Sequence, residues 1–205
     1  MDSAASATGV EQNDRAELIS LAAEELIIQR ASATFSMLEL GDRLDTSRTL
    51  TYAYFPNRDA IIDAILRRHI AILEGYGLRE GGVLDGLATR ERMVQVAFLY
   101  MRHVEEYGAL LHYILREVPK VIGLSRDVSG FFARMLLANA RCLRDDLRLS
   151  PREALLVIEM VSAIPEELGR MLRRKALTGD DARAVCRRLV ENAFDTLVPS
   201  TTPSR

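Results

Sequence analysis

Ser47-Arg48-Thr49-Leu50-Thr51-Tyr52-Ala53-Tyr54-Phe55-Pro56-Asn57-Arg58-Asp59-Ala60-Ile61 is the stretch that decides the fold of this 205-residue chain. It reads as a short helix over 47–54 with two tyrosines, a Phe-Pro stop, and a new helix that starts at once. Proline pushes the residue before it out of the α region, so Phe55-Pro56 ends the first helix. Asn57 can cap the second, whose first turn holds Arg58 and Asp59. Upstream, Ser36 precedes Met37, Leu40 and Leu44, whose three- and four-residue spacing marks another short helix over 36–44. The two short helices meet across the tight Asp45-Thr46 connection, as in a helix-turn-helix unit. Tyr52 and Tyr54 lie two apart, so one faces a partner and the other the core. A small polar helix on a rigid support suits the major groove of DNA.

The pattern is helical on both sides of this stretch. Leu18, Leu21, Ala22, Leu26 and Ile28 fit a first amphipathic helix, and residues 1–13 read as a flexible arm without apolar periodicity. After Asn57, the positions Ile61, Ile62, Ile65, Leu66, His69, Ile70 and Leu73 make a long connecting helix that ends at Gly75-Tyr76-Gly77. Helices follow from Thr89 to Gly108, from Ala109 to Glu117 and over about 125–147. Ser150-Pro151-Arg152-Glu153 is a strong helix start: serine caps, proline fits the first helical position, and glutamate closes the box. Thr178-Gly179-Asp180-Asp181 opens a last helix. The expected fold is all-α with about nine helices. The domains are an arm at 1–13, a helix-turn-helix domain at 14–56, a connecting helix at 57–74, a larger domain at 75–198, and a tail at 199–205.

Composition narrows the function. The chain is 48% hydrophobic and 27% charged, inside the globular range. No apolar run reaches the roughly 18 residues needed to span a bilayer, and the acidic N-terminus is no signal peptide, so a cytoplasmic protein without a membrane partner is expected. Cys142 and Cys186 lack a C-x-x-C pattern and read as two buried thiols, with a disulfide left open. His69, His103 and His112 show no metal-ligand spacing, and neither a nucleophile elbow nor a phosphate-cradling glycine loop is present. No metal, cofactor or catalytic residue is expected, and an enzyme is not.

Residues 18–66 resemble the N-terminal domain of the tetracycline-repressor (TetR) family without a gap, through Ala22, Ala23, Leu26, Ser36, Leu40, Arg43, Ser47, Arg48, Tyr52, Tyr54, Phe55, Pro56, Arg58, Ala60 and Ile61. The resemblance implies that Ser47, Arg48 and Thr49 point toward the DNA groove. It also implies that Ser36, Tyr52 and Arg58 meet backbone phosphate. The chain departs from the family pattern at Ala31 and Asp45, where glycines are usual, and at Leu50-Thr51, where a Thr-Leu pair stands inverted. That inversion places a hydroxyl where leucine packs. Charge departs as well: residues 36–58 hold Arg43, Arg48 and Arg58 against Glu39, Asp42 and Asp45, a neutral balance. Duplex binders usually show a basic footprint.

The larger domain carries two expected tasks. Apolar residues recur on more than one side of the last two helices, which calls for a second partner surface. Leu156, Met160, Ile164, Leu168, Val185, Leu189 and Phe194 are the expected homodimer interface, in keeping with the resemblance. Met93, Tyr100, His112, Tyr113, Phe131, Met135 and Asn139 are the candidate wall of a pocket for a small lipophilic or aromatic effector. The resulting expectation is a ligand-responsive repressor that binds a palindromic double-stranded operator as a homodimer. Its rival is a TetR-like dimer with weak or lost DNA binding that acts as a coactivator or protein-interaction module.

Overall fold

A computed structural model describes residues 3–45, 48–79, 81–117 and 124–197. Regular structure among them is helical throughout, as expected: α1 (Ser3–Arg30), α2 (Met37–Arg43), α3 (Arg48–Tyr54), α4 (Arg58–Gly75), α5 (Thr89–Tyr107), α6 (Leu110–Glu117), α7 (Arg126–Leu147), α8 (Pro151–Arg173) and α9 (Gly179–Leu197). The helix starting at Ser3 runs through the segment expected to be an arm. Ala4, Ala5 and Ala7 are strong helix formers, and a helix already nucleated downstream extends through them without an apolar face.

The chain divides into two compact units, Met1–Ile70 with Ala109–Ser129, and Ala71–Gly108 with Gly130–Arg205. In the first unit the core positions follow the helical period: Ala22, Ala23, Leu26 and Ile27 on α1, Ile61, Ile62, Ile65 and Leu66 on α4, and Leu110, Leu111 and Ile114 on α6. Three local devices fix the helix ends. Ser36 accepts the Glu39 amide at 3.1 Å, and Asn57 accepts the Ala60 amide at 2.9 Å, so both caps act where the spacing places them. The third closes α1: Ala31 donates to the Ile28 carbonyl and Ser32 to that of Ile27, a Schellman turn that puts Ala31 at φ 51°. Asp45 stands at φ 50° after α2. Both left-handed positions are therefore held by residues other than glycine.

Polar side chains also join elements inside this unit. Glu24 of α1 is buried and meets both His69, at 3.2 Å, and Arg68 of α4. Asp63 of α4 accepts both the amide and the hydroxyl of Ser125 at 2.7 Å, just ahead of α7. Arg67 bridges Asp63 and Asp127.

The second unit is built on α5, α8 and α9. Val94, Ala97, Met101, Leu168, Leu172, Ala182, Cys186 and Val190 form its buried cluster. Gly169 permits the close approach: a Cβ there would stand 2.7 Å from both the Met101 carbonyl oxygen and Val104 Cβ. A second cluster joins Ala140, Leu143 and Leu147 of α7 to Ala154 of α8. The capping box of Ser150 and Glu153 is formed in full, and α8 continues through Pro165. Both cysteines are free. Cys186 is buried, which pushes its thiol up to about 11, and Cys142 is half-buried.

Candidate nucleic-acid interface

The candidate interface begins from the packing of α3. Thr51 and Phe55 are buried, Leu50 and Tyr54 are half-buried, and Thr49, Tyr52 and Ala53 are exposed. On a helix, positions 49, 52 and 53 share one face, so α3 rests on Thr51 and Phe55 and turns Thr49 and Tyr52 outward. The α2 cap stands beside this helix pair in sequence. The Ser36 oxygen takes the Glu39 amide, which leaves its own proton for an outside acceptor. Ser47 lies outside the described residues, and Arg48 opens α3 with a side chain that is likewise outside them.

Three arginines of this unit are matched by carboxylates within it. Arg30 pairs with Glu39, Arg43 with Glu25 at 2.7 Å and with the Gln29 side-chain oxygen Oε1 at 3.2 Å, and Arg58 with Asp59 at 3.3 Å. Each pair takes one partner from outside 36–58, so the segment's own charges are matched by its surroundings rather than by one another. Arg58 is half-buried beside its own neighbour, and a phosphate contact would have to draw it from Asp59. Thr51 reads as the inversion predicts: the side chain is enclosed, and its hydroxyl finds no hydrogen-bond partner among the described residues.

Residues 19–65 match the family model of bacterial regulatory proteins, tetR family. The N-terminal domain belongs to the TetR family. Its helix-turn-helix is a DNA-binding module of transcription regulators. A crystal structure from Rhodococcus sp. assigned to the TetR-family transcriptional regulators is similar over 90% of this chain and 99% of its own, with a TM-score of 0.53 and 18% identity. At that identity the likeness speaks for the fold of the whole chain. No curated protein sequence matches it.

The candidate residues beyond the TetR domain fall into two sets. Of the pocket set, Met93, Tyr100, Phe131, Met135 and Asn139 belong to the second unit, whereas His112 and Tyr113 on α6 belong to the first. Asn139 is buried and accepts from Arg92 at 3.1 Å, and Arg92 also holds the Leu84 carbonyl at 3.1 Å, so the asparagine helps tie the glycine-rich loop to α5 and α7. Tyr100 donates to the buried Glu166 at 3.0 Å, and Phe131 meets Phe132 edge-on at 5.3 Å. Of the dimer set, Leu156, Met160, Val185 and Leu189 are exposed, together with Leu155. Ile164 and Phe194 are half-buried against the clusters of this chain. Leu168 is a correction: it is buried in the α5–α8–α9 core, because the small Gly169 beside it lets α5 close over that side of α8.

Sequence reasoning missed the side chains that join distant segments. Glu117 takes hydrogen bonds from Ser32 and Thr34, and Asp63 from Ser125. Local periodicity carries no signal for pairs separated by 60 to 85 positions. Among the described residues there is no group of three His, Cys, Asp or Glu side chains placed to hold a metal ion, and no helix long and apolar enough to cross a membrane.

Proposed function

We propose that the protein is a homodimeric, ligand-responsive transcriptional repressor that places α3 of each subunit in successive major grooves of a palindromic operator. The observation that carries this reading is the face of α3: Thr49 and Tyr52 turned outward on a support of buried Thr51 and Phe55, within a TetR-family domain. Ser47, Arg48 and Thr49 read the groove, while Ser36, Tyr52 and Arg58 position the head on phosphate. The exposed leucines, Val185 and Met160 of α8 and α9 support pairing of these helices with their copies, as a four-helix interface. A small lipophilic or aromatic effector in the C-terminal part shifts the population between two dimer geometries and releases DNA. The protein is a cytoplasmic regulator rather than an enzyme.

The second reading, a dimer that has lost most of its DNA affinity and serves as a partner-binding subunit, is favoured by one feature. Arg30, Arg43 and Arg58 are each engaged by a carboxylate within the head. Anisotropy titrations with duplex from upstream of its own gene, at two salt concentrations, separate the two. Specific binding with a salt slope that falls by about one on Arg48→Ala supports the repressor. Absence of binding to every flanking promoter fragment at micromolar protein overturns it in favour of the partner-binding dimer.

A further inference from the structure

The connection between α1 and α2 sets where the reading head begins, and it is held from outside the matched domain. Ala31 occupies a left-handed conformation at φ 51°, where an L side chain is strained. Ala33 and Phe35 are buried, and Ser36 then caps α2. Glu117, the last residue of α6, meets this connection with both carboxylate oxygens. Ser32 Oγ donates to Oε1 at 2.8 Å and Thr34 Oγ1 to Oε2 at 3.4 Å. Ser32 Oγ in turn accepts the Thr34 amide at 3.1 Å, which ties the two hydroxyl residues to one another. One carboxylate therefore closes a loop of hydrogen bonds over a connection whose backbone would otherwise relax.

We infer that Glu117 is a positioning residue for DNA reading, a side chain outside residues 19–65 that fixes the α1–α2 connection and through it the placement of α2 and α3. This rests on the DNA-reading function proposed above. Glu117 approaches no phosphate in this role. The sign of its effect distinguishes positioning from plain charge: a carboxylate near a duplex repels it, so removing a merely electrostatic glutamate strengthens binding. Removing a positioning glutamate weakens binding selectively for the specific site. A charge-assisted hydrogen-bond pair of this kind corresponds to about tenfold in an equilibrium.

The test uses the full chain and its variants Glu117→Ala, Glu117→Gln, Ser32→Ala and the double variant Ser32→Ala/Glu117→Ala. Each is titrated with the upstream duplex and with a random duplex of equal length, and amide hydrogen exchange is measured on the same proteins without DNA. Glu117→Ala is expected to weaken the upstream duplex about tenfold, leave the random duplex unchanged, and speed exchange at residues 32–36 about tenfold. Glu117→Gln, which keeps one carbonyl acceptor, loses less. The double variant is no worse than Glu117→Ala, because both changes remove one linked set of bonds. Unchanged exchange at 32–36, additive losses, or a gain in affinity on Glu117→Ala overturns the inference. Where Glu117→Ala does not fold, Ser32→Ala and Thr34→Ala carry the same comparison. If the wild type does not prefer the upstream duplex, the DNA-reading function fails, and the exchange measurement still decides whether Glu117 holds the connection.

Discussion

The hydroxyl of Thr51 is enclosed in α3 and has no hydrogen-bond partner among the described residues. Burying an unpaired hydroxyl costs about 1–3 kcal/mol, whereas valine fills nearly the same shape without that penalty. Thr51→Val is therefore expected to stabilise the protein by about 1 kcal/mol, read as a higher urea midpoint with unchanged slope. DNA affinity should stay the same, since the side chain does not reach the outer face of α3. A lower midpoint would show that the hydroxyl has a partner and sink the argument. This position was legible through the family resemblance, whose usual pattern packs a leucine where this chain has Thr51. The family resemblance marked Asp45 and Ala31 as positions where glycines are usual, and both stand in the left-handed region. The conformation of Asp45 costs less than that of alanine, because a short polar side chain tolerates this region.

Between elements, glycine and carboxylate chemistry take over from periodicity. In an exposed helix Gly→Ala stabilises by about 1 kcal/mol, but at Gly169 the added methyl would stand 2.7 Å from the Met101 carbonyl and from Val104. Backbone cannot retreat as a flexible side chain does, so Gly169→Ala is expected to destabilise by about 1–3 kcal/mol, measured by thermal or urea unfolding. Stabilisation would mean that α5 and α8 do not approach this closely. The junction of α4 with the start of α7 behaves differently, because it is ionic. Burial alone would raise the Asp63 carboxyl, but the Ser125 hydroxyl and amide and then Arg67 outweigh it, holding the group below the ordinary aspartate value. A depressed folded-state pKa contributes stability above the unfolded value, near 3.9, and that contribution fades as pH falls through the folded value. Asp63→Asn should thus lower the unfolding midpoint at neutral pH, and the gap to wild type should narrow below about pH 4. A gap that stays constant with pH would remove the carboxylate from the account. The helices themselves were legible from caps and spacing, as at Asn57 and at Ser150 with Glu153. The joints at Asp63–Ser125 and Glu117–Ser32 were not, since they depend on which distant helices lie side by side.

At the scale of the whole molecule, the apolar surface of α8 and α9 is the feature that a single chain leaves unexplained. Met160 is 74% exposed and Leu156 50%, one helical turn apart, with Leu189 of α9 at 45%. Large exposed apolar patches are what interaction surfaces present, and these side chains are the ones to test for it. The sequence pattern pointed to this surface but could not divide it. Leu168 shares the apolar character of Met160 yet lies inside the chain's own core, because Gly169 lets α5 close against that side of α8. Which apolar residue turns inward depends on the neighbouring helix, and spacing along one helix does not encode it. The division makes a sharp comparison. Met160→Asp with Leu189→Asp adds charges only to the exposed face, so helicity and unfolding cooperativity should be retained. Light scattering at roughly tens of micromolar protein should then fall from two chain masses to one, since desolvating two carboxylates costs several kcal/mol against an apolar interface. Binding to the upstream duplex should weaken by at least about a hundredfold with the dimer, because two linked heads gain effective concentration that one head lacks. Leu168→Ala should do the reverse: destabilise the fold by about 2–4 kcal/mol while leaving the folded fraction dimeric. A wild type that scatters as one chain mass, or a double-aspartate variant that still scatters as two, would rule out this face as the joint between reading heads.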